Sequence, residues 1–147
     1  MTGTSNRPYI VVGVDGSDAS KDALRWAARQ AQLTGAELRA IAAWELVPTY
    51  PYPVVIDADL RDRTSETLAT AVDDAFGADP PARLVAEVHR GHPASVLVEA
   101  SRGAEMLVVG ASGHGTFTDM LLGSVSQHCA HHATCPLVIV RQHKPAG

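Results

Sequence analysis

The residues best placed to do chemistry fall in one late stretch, Gly110-Ala-Ser-Gly-His-Gly-Thr116, followed by Gly123-Ser-Val-Ser126. Gly110, Gly113 and Gly115 allow positive φ and close approach of a ligand to the main chain. Successive N–H groups in such a loop form a nest for an anion. Gly123 and Ser124 open a helix whose unpaired N–H groups and dipole favour a phosphate, and Ser124 and Ser126 add hydroxyl donors. Two phosphate cradles on one stretch point to a nucleotide. Asp15, at the end of the first apolar run, would then face a ribose hydroxyl or a metal-bound water. A plainer reading stays open, in which three glycines only turn a strand into a loop and Ser124 only caps a helix.

Other chemistries fit less well. The phosphate-binding pattern G-x4-G-K-[ST] fails because Gly115 is followed by Thr116 and Phe117, and G-x-G-x-x-G fails at Thr118. Ser112 resembles a nucleophile on a strand–turn, but the G-x-S-x-G order is broken by Gly113 and His114. His128, Cys129, His131, His132 and Cys135 form a metal-like cluster without the paired spacings of zinc sites. They read instead as a helix end whose histidines face the negative dipole. No base or arginine stands beside Asp15 in sequence, so a binding module is expected rather than an enzyme, with slow hydrolysis of a bound nucleotide at most.

These residues need a scaffold, and the hydrophobic pattern describes one. Tyr9–Asp15 is continuously apolar until its end, as in a parallel strand covered on both faces. A helix follows, capped by Ser17, Asp18 or Ser20, with Ala23, Leu24, Ala27, Ala28 and Ala31 as its apolar stripe and Gly35 as its stop. Further strands are read at Glu37–Trp44, Arg83–Arg90 (nearer an edge), Met106–Gly110 and Pro136–Val140, and further helices from Asp57, from Pro93 and over Ser124–Ala133. Val47–Pro53, with Tyr50 and Tyr52 between prolines, reads as a loop. Trp26 and Trp44 read as anchors in the core or at a dimer surface. The order β-α-β-α-β-α-β-α-β makes a doubly wound α/β sheet, whose ligands sit beyond the carboxyl ends of the strands.

The 147 residues suit one domain, read as 9–141 between short tails at 1–8 and 142–147. A net charge of −4 and 5% aromatics argue against a nucleic-acid partner. No apolar run approaches the roughly 18 residues of a membrane span, and two nearby cysteines make no disulfide framework, so a cytoplasmic protein is expected.

The spacing Gly110-x2-Gly113-x9-Gly123-Ser124 is similar to the nucleotide-binding signature of the universal stress protein family. So are Ile10-Val-Val-Gly-Val-Asp-Gly-Ser17, Gly91-x-Pro-Ala94, Leu122-Gly-Ser-Val-Ser-Gln127 and Ala133-Thr-Cys-Pro-Leu-Val-Ile-Val-Arg141, so the likeness runs over nearly the whole chain. The resemblance implies a flavodoxin-like fold (adenine nucleotide alpha hydrolase-like), with five parallel strands in the order 3-2-1-4-5. It also implies ATP as ligand, with Mg²⁺ or Mn²⁺, and a stress-associated homodimer paired through Pro136–Val140 that serves an unknown regulatory partner. Carried over by position, Gly13 and Asp15 meet adenosine and ribose, and backbone near Ala43 meets adenine. Gly110, Ala111, Ser112, Gly113, His114, Gly115 and Thr116 then wrap the phosphates with Gly123, Ser124, Val125 and Ser126. Many members carry a basic residue where Ser112 stands, which leaves His114 as the loop's source of positive charge. Two alternatives follow: a ligand of lower charge such as AMP or a cyclic nucleotide, or an interaction module without nucleotide.

Overall fold

The computed structural model describes residues 7–45, 57–112 and 122–142. The elements are β1 (Tyr9–Gly13), α1 (Asp18–Thr34), β2 (Glu37–Trp44), α2 (Asp57–Phe76), β3 (Leu84–Arg90), α3 (Pro93–Ala100), β4 (Met106–Gly110), α4 (Ser124–His132) and β5 (Leu137–Val140). All strand pairs are parallel, in one five-stranded sheet of order β3-β2-β1-β4-β5. This is the doubly wound arrangement expected from the alternation of buried strands and helices, in the flavodoxin-like strand order that the family resemblance implies. The chain moves outward from β1 through β2 to β3, then returns to the other side of β1 as β4. The strand order therefore reverses between β1 and β4, where such sheets open a crevice at their carboxyl ends.

Alternation along β1 sends its side chains into two cores. Ile10 and Val12 pack with Leu24 and Ala27 of α1 and Leu68 of α2 on one face. Val11 packs with Ile41, Leu107 and Val109, Leu97 of α3 and Cys129 of α4 on the other. Strands buried on both faces need apolar residues at successive positions, which is why Val11, Val12, Leu107 and Val108 are all fully buried. Ser17 caps α1 by accepting from the Ser20 N–H, and Gly35 ends the helix at φ +76°. Pro93 opens α3, where its missing N–H removes no helical bond.

Several boundaries differ from the sequence reading. β1 ends at Gly13 rather than Asp15, because Gly16 turns the chain at φ +85°; Val14 still donates to the Ile41 carbonyl at 2.9 Å. Pro136 and Arg83 fall just outside their strands, yet their carbonyls accept from Leu107 and Leu38. β3 lies at the sheet edge, and even Ala86, on its inward register, is exposed. Trp26 packs against the first core, while Arg90 lies over the Trp44 ring at 5.6 Å. The proline-rich loop at 47–53 lies outside the described residues. Among the described residues, no helix is long and apolar enough to cross a membrane.

Candidate functional site

The carboxyl ends of β1 and β4 and the first turn of α4 enclose a crevice of about 220 Å³. Gly13, Asp15, Gly110, Ser112, Gly123, Ser124, Val125 and Ser126, all proposed from sequence, line it. Val14, Ser20, Pro93, Leu97 and Val109 complete the described lining and were not among the sequence candidates. Pro93 and Leu97 come from α3, which packs across β1 and β2. The Gly91-x-Pro-Ala94 turn was the signal that could have found them.

At the β1 end, the Asp15 carboxylate accepts the Ser17 N–H at 2.9 Å, and the Asp15 N–H donates to Ser20 Oγ at 3.3 Å. The Ser20 hydroxyl in turn donates to the Ser17 carbonyl at 2.9 Å. The same serines that start α1 thus fix Asp15 in an exposed position at the crevice wall. Gly13 leaves the floor open, since a Cβ there would stand 2.6 Å from Leu97 Cδ1.

At the β4 end, the glycine at 110 serves packing. Its φ is not positive, and a Cβ would stand 2.9 Å from both the carbonyl carbon and the Cβ of Ala19 in α1. Only glycine lets β4 pass this close to the first turn of α1. Ala111 is buried; its N–H donates to the Val140 carbonyl at 2.8 Å, and its carbonyl accepts from Gly123 at 2.7 Å. It therefore clamps the two ends of the glycine stretch and does not itself line the crevice. Ser126 corrects another expectation: its buried hydroxyl donates to the Gly110 carbonyl at 2.6 Å, so it is engaged in tying α4 to β4.

Gly123, rather than Ser124, is the N-cap of α4, at φ −66° and ψ 165°, with no side-chain cap. Ser124, Val125 and Ser126 thus carry first-turn N–H groups that no side chain caps, and all three residues line the crevice. This is an anion-binding end of a helix, and Ser124 is exposed beside it. Ala43 lies at the carboxyl end of β2, opposite His89, and is not among the lining residues. Gly113, His114, Gly115 and Thr116 lie outside the described residues.

The histidines sit beside this crevice. The His128 ring is 4.5 Å from that of His132 and 5.9 Å from that of His92, the residue preceding Pro93. Desolvation, then the neighbouring His132, His92 and His131, hold the His128 pKa below its ordinary value. Burial pushes the Cys129 thiol up to about 11, so it is a packing residue in the second core. Among the described residues no group of three or more His, Cys, Asp or Glu converges as a metal site.

A sequence model described as the universal stress protein family matches residues 8–141. The chain is 35% identical over 132 residues to a universal stress protein of Mycobacterium tuberculosis, a match covering 90% of this chain and 47% of that protein. It thus spans about half the length of the curated relatives it matches. A solved universal stress protein in complex with cAMP aligns at a TM-score of 0.71 and 28% identity, over 95% of this chain and all of that one. The universal stress protein of Archaeoglobus fulgidus in complex with dAMP aligns at 0.65 and 23% identity, over 93% of this chain and 99% of that one, a likeness of fold.

Proposed function

The chain belongs to the universal stress protein family, and from that membership we propose that it is an adenine-nucleotide-binding regulatory module, with ATP as its ligand, working as a homodimer and not as an enzyme. The observation that carries the reading is the meeting of Gly13, Asp15, Gly110 and the uncapped first turn of α4 in one crevice where strand order reverses. In this reading the N–H groups of Ser124, Val125 and Ser126 bind phosphate, and Asp15 receives a ribose hydroxyl. The cAMP complex of a 28% identical protein supports an adenine ligand in this fold. Mg²⁺ or Mn²⁺ would arrive with the phosphates, with Asp15 reaching it through water.

Asp15 is the one charged side chain among the described residues that line the crevice. In this reading such a wall positions a nucleotide for sensing rather than turnover, none of its described residues being a cation that would stabilise a transferring phosphoryl group. The same shortage of positive charge, with Ser112 in the wall, favours a second reading in which AMP or a cyclic nucleotide is preferred. The dimer would form through β5. It is an edge strand whose Leu137, Val138, Ile139 and Val140 are all partly exposed in the single chain.

The test is to extract the nucleotide that co-purifies with the protein, identify it by mass spectrometry, and titrate ATP, AMP and cAMP in competition. Stoichiometric ATP or ADP, with ATP displacing the others, is the expected result. Preference for AMP or cAMP moves the assignment to the second reading. An empty protein with no affinity for any of the three contradicts nucleotide binding and leaves an interaction module.

A further inference from the structure

A second and larger cavity opens at the opposite end of the sheet. It measures about 670 Å³ and lies between the carboxyl-terminal halves of α1 and α2, under the segment 79–83 that leads into β3. Its size falls within the roughly 300–1,000 Å³ of small-molecule sites. Ala28 and Ala31 of α1 leave room between the longer Arg25, Arg29 and Gln32 of the same helix, while Phe76 and Pro81 close the far wall. Ala28, Ala31, Leu38, Phe76 and Pro81 give the cavity an apolar side, and the arginines, Gln32 and Asp79 give it a polar one.

The rim is cationic. Arg25, Arg29 and Arg83 stand around it with Asp79 as the acid of the lining and Asp22 already paired with Arg25, in a chain whose net charge is −4. Two of these arginines are held in place by the fold. Arg83 donates to the Gly35 carbonyl at 2.9 Å, and Arg25 bridges Asp22 and the Asp74 carbonyl. Arg29 makes no ion pair or hydrogen bond among the described residues and is exposed at the mouth. A guanidinium carries five donors in a fixed fork, so each of the three retains donors for an incoming anion.

We infer that this groove is a binding site for a small organic anion with an apolar body, of the class of a medium-chain carboxylate. The carboxylate sits on Arg29 with Arg83 and Arg25 beside it, and the apolar body enters between α1 and Phe76. The crevice at β1 and β4 lies at the other end of the strands and shares no lining residue with this groove.

Decanoate, below its micelle threshold, is the probe, read by amide NMR shifts of the whole chain, with decanol as the uncharged control. Shifts centred on Gln32, Gly35 and Ala82 are expected, together with about tenfold weaker binding in Arg29→Glu and no comparable binding of decanol. Arg29 supports no other residue among the described ones, so the variant should keep the melting temperature and nucleotide affinity of the parent, which separates a lost site from a lost fold. Shifts confined to Gly13 and Gly110, equal decanoate affinity in Arg29→Glu, or equal binding of decanol would each overturn the assignment.

Discussion

At position 110 a single methyl group would collide with backbone, the Ala19 carbonyl carbon 2.9 Å away, and neither β4 nor α1 can yield without disturbing the core. Gly110→Ala is therefore expected to cost about 1–3 kcal/mol in urea unfolding. An unchanged midpoint would show that the two elements have slack. Gly13→Ala meets only the end of the Leu97 side chain, which can rotate, and should cost less. The sequence made glycine at 110 conspicuous but attached it to a ligand, since its packing partner lies about 90 residues earlier in the chain. Ser126 was legible as a site residue for its type and place. Its hydrogen bond to the Gly110 carbonyl depends on how α4 returns to β4, which local pattern does not encode.

The elements themselves were largely written in the hydrophobic pattern. β2 and β4 have the expected bounds, and all five alanine and leucine positions of the α1 stripe are buried. The ends were less legible. A serine after a glycine looks like a cap, yet the extended conformation falls on Gly123, and this leaves the first turn of α4 open to the crevice. Midway along α4, the His128 ring faces those of His92 and His132, and it is less basic in the folded chain than the ordinary 6.5. The unfolded chain then takes up the proton more readily, so this contribution to stability is complete above pH 6.5 and is lost as pH falls below it toward the depressed folded value. Between about pH 7.5 and pH 5.5 the melting temperature should fall further for the parent than for His128→Gln. Parallel pH profiles would contradict the cluster's part in this. Because His92 precedes Pro93 and α4 carries Val125, the same loss would loosen two walls of the crevice.

On the scale of the whole molecule, the alternation of strands and helices fixes one reversal of strand order, and the crevice follows from it. This much was legible because parallel sheets with right-handed crossovers leave few topologies. The cavity between α1 and α2 was not, since it arises from the distance between two helix ends, which no spacing of residues states. The free edge at β5 carries a further consequence. Ile139 also packs against the second core, so Ile139→Lys should lower the melting temperature and, at a temperature where the variant stays folded, convert a dimer to a monomer in light scattering. A parent that is already monomeric, or a variant that remains dimeric, would remove β5 from the assembly.

In the proposed function the first turn of α4 holds the phosphates of an adenine nucleotide. Calorimetric titration of ATP into the parent and into Ser124→Glu tests it most directly. Ser124 is exposed, and an acidic residue in the first turn stabilises a helix, so the variant should fold as well as the parent. Its carboxylate would occupy and repel the phosphate position, and binding about tenfold weaker or worse is the predicted result. Equal affinity in the two proteins would place the nucleotide elsewhere and contradict the account.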